Sequence, residues 1–502
     1  MLLPERPPEP KTLEEAKQQI AVLWDLIERL VQEQQQTITR QEEQIRELTT
    51  QLEDKRVSHS GNSSTPPSRD QDWQRQSRRQ RRSRKNTGKP KGAQPGHEKH
   101  EREIYDAHLV DESYDYYPQG DCPECGSQAM HHHSDPHHRH QVFDIPEVRY
   151  TLTEHRLHHA HCQACHHHAI AQLPDSVPRG QMGHGLLGLI AHLSGQYHLS
   201  IREIQHYLQS HWQLPFSTGA ISQAQGKLNP WLSPLYQQIS DRVRQSDVAH
   251  ADETRHWRAG EGRWLWTLCT TVGVVFMVHY SRGKQAAAAL LGCFQGILVS
   301  DRHGGYNDYP ETSRQLCWAH IVRNVTWIAE RSGSSGKVGQ RLLLIAHALL
   351  RIEHRRQERC LKRDDPWYQR RMKRLKTSWQ KVLHKGVTEE GILKSVKNRC
   401  QRLQSDETKL WLFIERSEMD IPLTNNAAER ALRPYVIWRK KNYASQSHQG
   451  DQFRPQILSV LQTAKRWRID AYRLLREVCR QGQQNRGEVT VKFPFDQQIE
   501  RH

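Results

Sequence analysis

Apolar runs are short throughout this chain. VGVVFMV at 272–278 covers seven residues, far below the roughly 20 needed for a membrane-spanning helix. The amino terminus, MLLPERPPEPKT, lacks the apolar stretch of a secretory signal. Acidic residues are also in deficit: 56 Asp and Glu face 73 Lys and Arg, for a net charge of +17. That imbalance favours a polyanionic partner, nucleic acid first and an anionic membrane second. Cysteine is sparse, with ten in 502 residues, which excludes a disulfide scaffold. Together these shortages predict a soluble, cytoplasmic protein with no membrane partner. Aromatics at 7 % and hydrophobics at 35 % allow real cores without filling the whole length. The length itself predicts two to four domains.

What is present falls into blocks. Leu13, Ile20, Ile27, Gln34, Gln41 and Leu48 form one heptad row; Lys17, Trp24, Val31, Ile38, Ile45 and Leu52 form the other. Charged and amide side chains fill the positions between, as a coiled-coil seam requires. Residues 1–57 are therefore expected to form a coiled coil and a homo-oligomer, against the plainer reading of one amphipathic helix packed on its own domain. Residues 58–104 read as a linker and basic arm. SHSGNSSTPPSRD is turn-rich, and 69–91 carry ten Lys or Arg against two Asp. Arg78, Arg79, Arg81, Arg82, Arg84 and Lys85 suit DNA phosphates; a solvated tail is the alternative.

Residues 105–175 hold two C-x-x-C knuckles, Cys122/Cys125 in CPECG and Cys162/Cys165 in HCQAC, 36 residues apart. Four thiolates from two tight turns match one tetrahedral structural zinc ion. His131–His133, His137, His138 and His166–His168 lie nearby, and one of them can stand in for a cysteine. Residues 176–245 read as a small helical domain, either a helix-turn-helix or a spacer, with Ser217 or Thr218 capping the later helix.

A different rhythm starts at 246. DVAHADET, RWLWTLCTTV and VVFMVHYS read as three strands, GKQAAAALLGCF as a helix, and GILVSD as a fourth strand. RQLCWAHIVRNVTWIAE then reads as a strand entering a helix. This is the order of a ribonuclease H-like core, in which the first and fourth strands are neighbours. The first strand is expected to end near Asp252 and the fourth at Asp301, with both carboxylates facing one cavity. In TNNAAERALRP, Asn425 or Asn426 can cap a helix that carries Glu429 about one turn inside. Arg430 and Arg433 flank that glutamate and suit phosphate. Three carboxylates supply the hard oxygen ligands that two Mg²⁺ (or Mn²⁺) ions need for phosphodiester chemistry.

These residues resemble the DDE transposases of the IS66 insertion-sequence type. The resemblance rests on NSSTPPS with KGAQPGH, CPECG, ADET followed by RWLW, VSDRHGGYND, LCWAHIVRN, and TNNAAERALRP with WRKKN. Thr424 departs from the Asp common at that position. The resemblance implies a multidomain α/β chain with a ribonuclease H-like core at 246–330, a helical insertion at 331–415, and a catalytic helix with C-terminal helices at 416–502. It implies Asp252, Asp301 and Glu429 as the metal-binding triad. It also implies cleavage and strand transfer at element ends, binding of element and target DNA, and a bacterial, nucleoid-associated setting. Accessory proteins of the same element are a further partner class. Two other functions compete: an inactive zinc and coiled-coil DNA-binding regulator, and a different ribonuclease H-like nuclease such as a junction resolvase.

Overall fold

The structure is a computed structural model that describes residues 9–57, 59, 104–129, 131, 133–145, 150–442 and 445–495. The basic-arm residues Arg78, Arg79, Arg81, Arg82, Arg84 and Lys85 lie outside the described residues. A 45-residue helix, α1 (Leu13–Val57), opens the chain with Glu14 and Glu15 in its first turn, where a helix dipole favours acids. Its heptad side chains stand exposed, Trp24 at 64 % and Val31 at 58 %.

Between 104 and 172 regular structure is slight. Strands β1 (His159–His161) and β2 (His168–Ile170) pair antiparallel around the second knuckle. None of the described residues in this stretch is buried.

Packing begins at α2 (His184–Gly195), whose Leu187, Ile190 and Ala191 are buried. A capping box between Ser200 and Glu203 starts α3 (Ile201–Trp212). Ser217 caps α4 (Thr218–Arg244) by accepting from the Ala220 amide at 3.1 Å. Leu228, Leu232, Leu235, Ile239 and Val243 recur along one side of α4 and are fully buried. A 27-residue helix sunk this deeply extends well beyond the short second helix expected here.

Strands β3 (Val248–Arg258), β4 (Glu261–Cys269) and β5 (Val274–His279) form an antiparallel meander. Helix α5 (Lys284–Leu291) leads to β6 (Ile297–Ser300), and β7 (Arg314–Leu316) completes the sheet. The strand order is β5-β4-β3-β6-β7, with β3, β6 and β7 parallel. The first and fourth strands of this group are therefore neighbours. One boundary differs from expectation: β3 does not end near Asp252 but runs to Arg258, because pairing with β4 holds it there. At the entry to β6 the chains touch so closely that a side chain on Gly296 would lie 2.4 Å from the Asp247 carbonyl oxygen.

Helices α6 (Trp318–Ala329), α7 (Gly333–Glu358), α8 (Pro366–Thr388), α9 (Lys394–Ser405) and α10 (Glu407–Glu415) follow. Helices α11 (Asn426–Asn442), α12 (His448–Arg466) and α13 (Ala471–Gln484) end the described chain. Alternation along β6 separates two cores. Leu298 joins a cluster with α2–α5 and α11–α13, whereas Ile297 and Val299 join one with α6–α10. The first cluster runs from Leu187 to Phe493, so the helices before residue 245 share their core with the sheet. Among the described residues, no helix is long and apolar enough to cross a membrane.

Candidate functional site

The parallel register between β3 and β6 pairs Val248 with Ile297 and His250 with Val299. Continued two residues further, it sets Asp252 level with Asp301, just past the last residue of β6. Asp252 accepts from the Glu253 amide at 2.9 Å, and Asp301 accepts from the His303 amide at 2.8 Å. Among the described residues, neither carboxylate has an ion-pair partner.

Glu429 comes from the other direction. Asn425, fully buried, precedes α11 and ties its start to β3. Its Nδ2 donates to the Ala251 carbonyl at 2.7 Å, and its Oδ1 lies 3.2 Å from His250 Nδ1. The carbonyl partner fixes which end of the amide is nitrogen, so His250 Nδ1 carries the proton and donates. Burial pushes the His250 pKa down to about 4, keeping the ring neutral. The Asn425 amide also donates to Cys317 Sγ at 3.0 Å, and its carbonyl accepts from the Glu429 amide at 3.3 Å. Farther along, Tyr435 bonds His256 and Arg439 bonds the Arg255 carbonyl. Helix α11 thus lies along β3, with Glu429 at the Asp252 end. Its carboxylate stands 3.9 Å from His320 Nε2 on α6.

Electrostatics register the convergence. The Asp252 carboxyl is held well above its ordinary range, first by burial, then by Glu253, Asp301 and, more weakly, Glu429. His320 is pushed down by burial and Arg323, while Asp301, Glu429 and Glu253 pull it up. Its Nδ1 is buried and has no hydrogen-bond partner among the described residues. A half-buried group of like charges lacking cations is a donor set suited to hard divalent ions. Among the described residues, no three His, Cys, Asp or Glu side chains are yet close enough together to hold one.

Two supporting residues have no signal in spacing. Glu253 is buried and already neutralised: Arg282 donates to it at 2.8 and 3.0 Å, and the Tyr306 hydroxyl at 2.8 Å. It differs from Asp252 by pointing to the opposite side of β3. Arg314, 2 % exposed, holds the loop after β6 by donating to Ser300 Oγ, Asn307 Oδ1, and the Asp301 and His303 carbonyls. Arg430 and Arg433 are exposed on α11, and among the described residues neither has an ion-pair partner.

The two knuckles repeat one geometry. Gly126 donates to the Cys122 carbonyl and His166 to the Cys162 carbonyl, both at 2.8 Å. Cys122 donates to Ser127 and Cys162 to His167, both at 2.9 Å. Gly126 and His166 share the left-handed backbone, at φ of 70° and 56°. In each turn backbone amides pull the first thiol's pKa down: those of Cys125 and Glu124 act on Cys122, those of Cys165 and Ala164 on Cys162. Turns that stabilise thiolate fit zinc ligation. As they stand, the two pairs are not gathered into one four-sulfur group.

Fold and site together define a mixed α/β protein with acidic side chains converging where a parallel strand pair ends. Residues 179–452 match the transposase IS66 family, and residues 5–103 match a family of unknown function (DUF6444). The chain belongs to the IS66 transposase family. Two relatives from Sinorhizobium fredii (strain NBRC 101917 / NGR234) carry the names uncharacterized protein y4qI and uncharacterized protein y4jD. The first is 24 % identical over 288 residues, 51 % of each chain. The second is 22 % identical over 352 residues, 63 % of this chain and 66 % of that protein. The chain thus spans between about half and two thirds of the length of these relatives.

Proposed function

We propose that this chain is a DDE transposase that binds the ends of its insertion sequence and carries out metal-dependent cleavage and strand transfer. The observation that carries the reading is the convergence of Asp252, Asp301 and Glu429, the first two without an ion-pair partner among the described residues, on a sheet of order β5-β4-β3-β6-β7. That order, with an antiparallel meander and then two parallel strands, supports a ribonuclease H-like core. Asp252, Asp301 and Glu429 would hold two Mg²⁺ or Mn²⁺ ions, which when bound activate the attacking oxygen and stabilise the leaving one. Asn425 and Arg314 keep the carboxylates in place, and the exposed Arg430 and Arg433 reach backbone phosphate beside them. The two knuckles hold one zinc ion and order the region for recognising DNA ends. The basic arm adds sequence-independent affinity for element and target DNA, and α1 pairs two copies.

Glu429→Gln, Asp252→Asn and Asp301→Asn test this reading. Each keeps the side-chain size and removes one anionic ligand. Cleavage and strand transfer of element ends are expected to fall by orders of magnitude, with thermal stability and end binding retained. Combined substitutions add little, because groups acting as one unit are not additive. Near-normal cleavage by Glu429→Gln returns that glutamate to an ordinary surface charge.

A further inference from the structure

Helix α8 is amphipathic in an unusual way. Tyr368, Met372, Trp379 and Leu383 are buried in the second core. On the opposite side Arg370, Lys373, Arg374, Lys381 and Lys385 are all exposed. At about 100° per residue, these five lie within roughly 60° of one line along the helix. No Asp or Glu occurs between Pro366 and Thr388. The nearest acids lie at its ends or on its flank: Asp365 caps the helix, Glu407 and Glu415 pair with Lys376, and the exposed Asp364, Glu389 and Glu390 form no ion pair with the stripe among the described residues. Arg371 lies off the line and stacks over Trp367 at 5.0 Å. Among the described residues, none of the five has an ion-pair partner.

A merely solvated helix face mixes signs and forms pairs four residues apart. Here Arg370 and Arg374, and again Lys381 and Lys385, place like charges at that spacing, where they repel. Such a stripe is relieved by an external polyanion. From Arg370 to Lys385 it spans about 22 Å, the axial rise of roughly six base pairs of duplex. We propose that the outer face of α8 is a second DNA surface, gripping the phosphate backbone of duplex DNA without reading its sequence. This rests on the reading of the chain as one that acts on DNA. The stripe lies on α8, which packs against α7, α9 and α10 and carries none of the residues assigned to the Asp252 cluster, the knuckles or the basic arm. Its partner is recognised by phosphate spacing alone, so element ends and unrelated duplex are bound alike.

The test uses the full chain with Arg370→Gln, Arg374→Gln, Lys381→Gln and Lys385→Gln. Binding to a duplex of arbitrary sequence and to an element end is measured over a series of salt concentrations. The slope of log affinity against log salt should flatten by about 0.9 for each phosphate that the protein no longer neutralises, equally on both duplexes, with an unchanged thermal midpoint. A control removes the same charge elsewhere through Arg202→Gln, Lys227→Gln, Lys465→Gln and Arg473→Gln, and should leave most of the slope intact. The smaller pair Arg374→Gln with Lys381→Gln should give about half the effect, and keeps the test decisive if four substitutions disturb folding. Equal flattening in stripe and control variants, or none in the stripe variants, overturns the proposal. So does stripe-dependent binding to vesicles of anionic lipid with duplex binding unaffected. These outcomes leave the triad reading standing; loss of that reading is seen instead in cleavage by the carboxylate variants.

Discussion

In the stretch from 104 to 172 none of the described side chains is buried, while Asp252 and Glu429 stand on a strand and a helix, and Asp301 just past β6, beside two buried cores. Both regions present groups that suit metal ions, but they are held in different ways. Each knuckle is a closed local turn whose hydrogen bonds join residues four or five apart. Among the described residues, no buried apolar side chain joins one knuckle to the other. The carboxylates, by contrast, come from positions up to 177 residues apart, and packing brings Asp301 and Glu429 near enough to Asp252 to push its carboxyl pKa up. A region without a core needs an external crosslink, whereas a region with two cores can store unfavourable charge.

The largest expected effect breaks this contrast from the knuckle side. Structural zinc contributes roughly 10–16 kcal/mol to small metal-folded modules, more than any single contact in the core. Metal analysis should find about one zinc per chain. Chelation, or Cys122→Ser with Cys125→Ser, should abolish amide-exchange protection across 104–172 and weaken recognition of element ends. The thermal transition of residues 184–484 should stay where it was. Retained protection in chelated protein would show that the region orders itself without metal.

Helix α1 is a second region without a core. Its 45 residues extend about 68 Å, with Ile20, Trp24, Ile27, Val31, Ile38 and Ile45 exposed along the heptad rows. An apolar seam of that length is stable in water when another helix covers it. Deleting residues 1–57 should lower the mass found by light scattering and remove paired-end complexes, again without moving the core transition. An unchanged number of copies per particle would place the contact between copies elsewhere.

The same contrast explains what is legible in the sequence. Local devices are readable: the C-x-x-C turns, the Ser217 cap, the heptads, and the segments that read as strands β3 to β6. The strand order follows from those elements, because parallel neighbours joined through a helix have few arrangements. Contacts between distant segments are not readable. Asn425 reads as a helix cap because asparagine favours that position, yet its side chain bonds β3, 174 and 175 residues away. Nothing next to Glu253 in ADET shows that Arg282 and Tyr306, 29 and 53 residues on, enclose it. Arg314 sits in a three-residue strand with every position buried, where an arginine argues against a strand unless its partners are known. His320 carries no signal until α6 brings it within 3.9 Å of Glu429.

Asn425 offers the smallest effect and the sharpest division between holding a fold and placing a ligand. Asn425→Ala removes the donor to the Ala251 carbonyl and the acceptor for His250, leaving two buried polar groups unmet. Unsatisfied buried groups cost about 1–3 kcal/mol, so denaturant unfolding should show a loss of that order. Chevron slopes and end binding should change little. If Asn425 only stabilises the core, cleavage by the folded protein should need the same Mg²⁺ concentration as before. Its side chain, however, grips β3 one and two residues before Asp252, while its carbonyl starts the turn that carries Glu429. Loosening it should let Glu429 drift from Asp252 and weaken the shared site. The Mg²⁺ required for half-maximal cleavage should therefore rise severalfold in Asn425→Ala. Asn425→Asp, which keeps the acceptor for His250 but sets a carboxylate against the Ala251 carbonyl, should raise it as well. A stability loss with an unchanged Mg²⁺ requirement would make Asn425 a packing residue and leave the placement of Glu429 to Tyr435 and Arg439 farther along α11.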